Sequence, residues 1–210
     1  LYALVLEQVE MRVIAGKFRS RLLSAPLGMK TRPTSDRLRE TIFNVLASRI
    51  DEARFVDLYA GSGAVGIEAI SRGAKFVWFA ESAAAAVKAI RENLAALKIN
   101  EGYRIQQGSA AALLEGLLKK NERVDLVFLD PPYEAEEEYE RTLRFLGSRG
   151  AELLNEDARV IAEHRSKTEL AERYGALKRV RVLKQGDAAL SFFAIDPVDE
   201  ATSELTGPQE

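Results

Sequence analysis

Apolar positions along the chain follow two rhythms. From Phe55 onward, apolar runs of about five residues alternate with longer stretches in which apolar residues recur every three or four positions. That alternation is the pattern of a parallel sheet built from βαβ units. It predicts strands beginning at Phe55, Phe76, Tyr103, Val124, Arg159, Arg179 and Leu190. Between them it predicts helices over 65–71, 83–97, 110–119 and 136–146, and a shorter one near Thr168 to Arg173. The last two strands, 178–183 and 189–195, are separated only by a turn containing Gly186 and Asp187, which predicts an antiparallel hairpin. Ahead of this region, residues 12–16 and 21–23 read as a small hairpin. Pro26, Gly28 and Pro33 then break the chain. Thr34 or Ser35 can cap a helix whose apolar positions are Leu38, Ile42, Val45, Leu46 and Ile50.

This divides the chain into an extension over 1–10, an N-terminal hairpin and helix over 11–50, a core domain over 51–195, and a tail over 196–210. The tail is acidic and polar, with Pro197, Gly207 and Pro208, and is expected to stay disordered. A length of 210 residues suits one domain with short appendages. No apolar run reaches the roughly 18 residues of a membrane span, so the expected setting is the cytoplasm. The chain has no cysteine and one histidine, His164. Disulfides, thiolate metal sites and thiol nucleophiles are therefore excluded, and no metal is expected.

The net charge of -2 conceals segregation. Between Arg12 and Arg39 lie eight basic residues, Arg12, Lys17, Arg19, Arg21, Lys30, Arg32, Arg37 and Arg39, against Asp36 as the only acid. Such a stretch can neutralise a phosphate backbone, although a charge run is also the ordinary appearance of a solvated face.

Two segments carry candidate chemistry. The first core strand, ending Asp57-Leu58-Tyr59-Ala60, opens into Gly61-Ser62-Gly63-Ala64-Val65-Gly66 before a helix. Glycines let a backbone turn sharply against a ligand, and the helix start offers free N–H donors. Glu81 stands 20 residues after Gly61, where an acid can hold ribose hydroxyls. These features alone also suit an NAD-dependent oxidoreductase. The second segment is the strand from Val124 to Leu129, which ends in Asp130-Pro131-Pro132-Tyr133. Ligands of open α/β sheets bind at the carboxyl ends of strands. Two prolines stiffen this turn and leave its carbonyls as acceptors, Asp130 adds a carboxylate, and the Tyr133 ring can stack on a flat base. Acceptors around an exocyclic amine favour its pyramidal, nucleophilic form.

The run from Val56 to Gly66 resembles motif I of class I S-adenosylmethionine-dependent methyltransferases, and Asp130 to Tyr133 resembles the D/N-P-P-Y/F motif of those that methylate amino groups. The basic segment, Met11 to Lys17 with Arg32 to Leu46, resembles the opening of the RsmD-type 16S rRNA guanine-N2 methyltransferases, and the resemblance extends to about Ile195. It implies a Rossmann-like α/β fold: a seven-stranded mixed sheet with helices on both faces, plus the N-terminal hairpin and helix. It implies S-adenosylmethionine as cofactor, bound by Asp57 and the Gly61, Ser62 and Gly63 backbone at the methionine end, by Glu81 on the ribose and by Ser109 and Ala110 beside adenine, with Ala60 and Gly66 also in the cofactor site. Ser109 replaces the acid often found there, which leaves the Ala110 N–H for an adenine nitrogen. Asp130, Pro131, Pro132 and Tyr133 would be catalytic. Arg12, Lys17, Arg19, Arg21, Arg32 and Arg37 would bind RNA, and Arg39 would either face RNA or brace the cofactor pocket. The implied partner is 16S rRNA, naked or in an assembling small subunit, and the expected state is a monomer. Alternatives are an adenine-N6 nucleic-acid methyltransferase, a glutamine-N5 protein methyltransferase, the oxidoreductase, and an inactive RNA-binding module.

Overall fold

The computed structural model describes residues 11–25, 34–132 and 135–196. The expected extension over 1–10, Arg32, Tyr133 and the tail beyond Asp196 lie outside the described residues.

The principal sheet has the strand order β5-β4-β3-β6-β7-β10-β9-β8. Its parallel half consists of β3 (Arg54–Leu58), β4 (Phe76–Glu81), β5 (Tyr103–Gln107), β6 (Val124–Leu129) and β7 (Leu154–Arg165). The antiparallel part is β10 (Ala188–Ile195), inserted between β7 and β9 (Leu177–Gln185), with β8 (Arg173–Tyr174) at the edge. The seven expected strands are all present, and the two-residue β8 makes an eighth. Helices α1 (Asp36–Val45), α2 (Ala64–Ser71) and α3 (Ala84–Ala96) pack on one face, where Phe55, Val77, Phe79, Leu126, Phe128 and Ile161 point. Helices α4 (Ala110–Lys119) and α5 (Glu136–Leu146) cover the other, against Val56, Leu58, Trp78, Val127, Leu129 and Val160. Strict alternation along each buried strand, period two, thus sorts the side chains between two cores.

The separate N-terminal ribbon pairs β1 (Met11–Arg12) with β2 (Leu22–Leu23). Met11, Val13 and Leu23 join the same apolar core as α1, α2 and α3. Ser35 caps α1 by accepting the Leu38 N–H at 3.2 Å, and the helix stops at Val45, so Ile50 is buried from the following turn.

The expected short helix near Thr168 to Arg173 does not form. Its sequence has good helix formers, but tertiary contacts take its backbone groups. The Leu170 carbonyl accepts from Arg179 Nη1 at 2.7 Å, and the Glu172 carbonyl from the Arg179 N–H at 2.7 Å. Leu170 and Tyr174 are buried against the α4–α5 face, and the segment closes as β8. Strand β7 also starts five residues before the expected Arg159, because a register shift between Val124 and Leu126 absorbs the acidic stretch around Glu156. Among the described residues, no helix is long and apolar enough to cross a membrane.

Candidate active site

The glycine loop leaves β3 through Tyr59, a non-glycine residue at φ 65°, whose hydroxyl donates to Glu138 Oε2 on α5 at 2.8 Å. Gly61 (φ 55°) and Gly63 (φ 80°) turn the chain into α2. A Cβ at Gly61 would meet nothing within 4 Å, so the loop presents bare backbone to an open space. Two carboxylates hold it. Glu81 accepts the Gly61 N–H through Oε2 and the Ala83 N–H through Oε1, both at 2.8 Å. Asp57 Oδ2 accepts the Gly66 N–H at 2.8 Å from a fully enclosed position. Asp57 therefore shapes the loop from beneath. Ser109 caps α4 by accepting the Ala112 N–H at 3.2 Å, which accounts for serine there, and Ala110 is buried beside it.

Burial pushes the Asp57 carboxyl up to about 7, with the Glu81 charge adding to the rise and the Gly66 bond opposing it. An acid raised in the fold keeps its proton after the unfolded chain has lost it. Stability therefore falls as pH climbs from about 4 to about 7, then levels. Asp57→Asn retains the bond to Gly66 without the ionisation cost. Its stability relative to wild type should grow across that window, toward about 4 kcal/mol at pH 8. Urea midpoints of the cofactor-free protein at pH 5 and pH 8 check this, and an equal difference at both would defeat it.

Asp130 follows β6 directly, and β3 and β6 pair with Leu58 opposite Leu129. This sets Asp130 beside the chain's exit into the glycine loop. On its other side β7 pairs Ala162 with Leu129, bringing Glu163 alongside Asp130. Burial, then the charges of Glu163 and Asp57, push the Asp130 carboxyl well above the usual carboxylate range, while hydrogen bonding with Thr34 opposes the rise. Thr34 Oγ1 also donates to Glu163 Oε2 at 2.8 Å. Asp57, Glu81, Asp130 and Glu163 all fall in phase with the side chains that face α1, α2 and α3. Four carboxylates thus gather on one face at the carboxyl edge of four neighbouring strands.

The ribbon is docked on the helix that follows the glycine loop. Glu68 of α2, wholly buried, accepts the N–H groups of Ile14 at 2.7 Å and Ala15 at 3.0 Å and pairs with Arg72 at 2.6 Å. Ser71 accepts the Phe18 N–H through Oγ at 3.0 Å and the Lys17 N–H through its carbonyl at 2.7 Å. Asn93 of α3 accepts the Ser24 N–H at 2.7 Å and donates to the carbonyls of Ser24 and Ser62, each at 3.0 Å. Arg12, Arg19 and Arg37 line one open depression of about 460 Å³, together with Ser20, Asp36 and Glu40. Lys17 and Arg21 are exposed elsewhere on the ribbon. Arg39 is wholly buried and donates through Nη2 to the Arg12 carbonyl at 2.7 Å and to Asp36 at 2.6 Å. It braces the ribbon against α1 and is closed off from solvent.

The family model described as Conserved hypothetical protein 95 matches residues 11–194. The chain belongs to this family. It is 36% identical to the YlbH protein of Bacillus subtilis (strain 168) over 81% of this chain and 91% of that one. It is 40% identical to ribosomal RNA small subunit methyltransferase D of Escherichia coli (strain K12) over 59% of this chain and 61% of that enzyme. The solved structure of the yhhF protein from Escherichia coli superposes with a TM-score of 0.77 at 32% identity, covering 90% of this chain and 99% of that one. The chain is an RsmD-type, class I methyltransferase that uses S-adenosylmethionine.

The residues present fit that cofactor. Each Glu81 oxygen has one backbone donor, and a carboxylate offers about four acceptor positions, so acceptor capacity remains for a ribose diol. The bare backbone at Gly61 admits close approach, and the gathered carboxylates favour a ligand that carries sulfonium and ammonium charges. A hydride-transfer role for His164 does not fit. Its ring is buried inside the sheet, Nε2 is 2.9 Å from Ser191 Oγ, and Nδ1 is 2.9 Å from the Arg165 carbonyl. Among the described residues, no group of His, Cys, Asp or Glu could hold a metal ion.

Sequence reasoning overlooked Glu163, Thr34, Asn93 and Glu68. Glu163 had a readable signal, since it is an acid at the end of the apolar run Val160-Ile161-Ala162, as Glu81 is at the end of its own strand. Asn93 had none, because one buried polar residue in an amphipathic helix reads like a surface one, whereas Glu68 is the single charge in the otherwise apolar run of α2.

Proposed function

We propose that the protein transfers a methyl group from S-adenosylmethionine to the exocyclic N2 of a guanine in small-subunit rRNA. The observation that carries this is the placement of Asp130-Pro131-Pro132 beside the glycine loop, at the centre of the sheet's carboxyl edge. In this reading Gly61, Ser62 and Gly63 with Ala60 and Gly66 receive the methionine end over Asp57, Glu81 receives the ribose, and Ser109 and Ala110 border the adenine. The bound cofactor supplies an electrophilic methyl on a sulfonium. Asp130 and the Pro131 carbonyl accept from the target amine, turning its lone pair out of conjugation and stabilising the positive charge that develops on nitrogen. Pro132 stiffens the turn, and Tyr133 stacks on the base after it leaves its own stack. The raised proton affinity of the Asp130 site suits it to take up the amine proton.

Residues 11–50 then form the RNA-facing unit and 51–195 the catalytic unit. Arg12, Lys17, Arg19, Arg21, Arg32 and Arg37 supply phosphate contacts, which lets an acidic protein bind RNA through a local field. That substrate, naked or in an assembling particle, places the protein in the cytoplasm, where it acts as a monomer. Replacing Arg12 and Arg19 together by Ala should reduce the slope of log affinity against log salt by about 2. Anisotropy titrations of an rRNA fragment at several salt concentrations check it, and an unchanged slope removes the ribbon from RNA binding.

Isothermal titration with S-adenosylhomocysteine and, separately, NAD tests the cofactor. Tritiated methyl transfer onto unmodified small-subunit particles, followed by nucleoside analysis, tests the product. N2-methylguanosine supports the reading, N6-methyladenosine replaces the substrate, and NAD binding alone overturns the chemistry.

A further inference from the structure

A base presented to Asp130 also meets Glu163. Glu163 lies next to Asp130 across the β6–β7 pairing, on the same face of the sheet. It is 96% buried, as its relative exposure of 4% shows, near the carboxyl end of β7. Two features fix its position. Thr34 Oγ1 donates to Oε2 at 2.8 Å, and the Glu163 backbone carbonyl accepts from Tyr139 OH at 2.7 Å. Thr34 also interacts with Asp130, so one hydroxyl adjoins both carboxyl groups.

Guanine offers two kinds of donor on its Watson–Crick edge, the N2 amine and the adjacent N1–H. Adenine presents N1 as an acceptor, and a carboxylate there would meet it lone pair to lone pair. A pair of carboxyl groups held side by side matches two adjacent donors. We propose that Glu163 determines base specificity: its carboxylate accepts the N1–H of the target guanine while Asp130 and the Pro131 carbonyl address N2. This rests on the guanine-N2 reading above. It explains how a tetrapeptide shared in form by adenine methyltransferases can serve guanine, since the discriminating group comes from the neighbouring strand.

The test uses reconstituted small-subunit particles in which the methylated guanine, mapped first with wild type, is replaced by 2-aminopurine. That base keeps the N2 amine but presents N1 as an acceptor. Wild type should prefer guanine by about 100-fold or more in kcat/KM, as expected when a site built to bond a donor meets an analogue without it. Glu163→Gln, whose amide can donate to N1, should lose guanine activity about 100-fold and bring the ratio of the two bases to within about 3-fold. The double comparison cancels the missing O6 of 2-aminopurine. A variant that slows both bases equally shows a structural role and overturns the proposal. A wild-type ratio below about 5 overturns it without any variant. If Glu163→Gln fails to fold, Thr34→Val takes its place, and a ratio unchanged from wild type is again fatal. Failure of the parent reading is distinct, since the wild type would then yield no N2-methylguanosine to map.

Discussion

Replacing Asp130 by Ala should lower turnover by on the order of 1,000-fold while leaving affinity for S-adenosylhomocysteine within a few fold. The asymmetry follows from position. Asp130 follows β6, whereas the glycine loop is held by Glu81 and Asp57 from other strands. Losing the carboxylate removes an acceptor used when charge develops on the amine, a loss that falls on kcat. Removal also relieves crowding with Glu163 and Asp57, so the variant should be no less stable than wild type at neutral pH. Asp130→Asn separates two roles: it keeps an acceptor oxygen and gives up proton uptake. Single-turnover rates with saturating cofactor make the comparison, and near-wild-type turnover of Asp130→Ala would remove this residue from the chemistry.

Gly66→Ala should be the most damaging single-methyl change near the loop. A Cβ there would stand 2.2 Å from Phe79 Cε1 and 2.8 Å from Cζ. Phe79 is wholly buried in β4 and belongs to the core beneath α2, so the ring has nowhere to swing. Helix α2 must lift away from the sheet, at a cost of about 3 kcal/mol or more. For a chain of this size that is a fall in Tm of about 6 to 12 °C. The same displacement pulls the Gly66 N–H from Asp57, so cofactor affinity should fall at least 10-fold alongside stability. Thermal melts with and without S-adenosylhomocysteine report both effects. A melting point within about 2 °C of wild type would show that the contact relaxes cheaply.

Much of this arrangement could be read from the chain. Buried parallel strands give near-continuous apolar runs, and glycines or prolines at their ends mark the functional edge, so β3 and β6 stood out with their loops. The helices at 110–119 and 136–146 fell at their observed bounds because their apolar stripes end cleanly. Two kinds of feature were hidden. One was tertiary override: Leu170 and Glu172 give their carbonyls to Arg179, which no local pattern announces. The other was polar burial. Arg39 lay in a basic run and read as a residue for RNA or for the pocket, yet it is closed in beneath Arg12. Glu68 is a lone acid in an apolar helix, but nothing local names its partners, the ribbon's backbone amides. The phase of a strand tells which face a side chain joins, but partners brought from 50 or more residues away are invisible until the chain is folded.

The insertion of β10 between β7 and β9 bears on how the chain is made. During synthesis the five parallel strands emerge first, in an order that lets each settle against a finished neighbour. Strand β7, which carries Glu163, then waits with one edge unpaired, because its partner is residues 188–195 and not the strand that leaves the ribosome next. Until that last strand slides in, the backbone ladder from Arg159 to Arg165 stands open to any other chain. A ribosome stalled or a chain cut shortly before Ala188 would therefore release a product with its glycine loop formed and the β7 edge beside Glu163 unpaired, prone to pair with copies of itself.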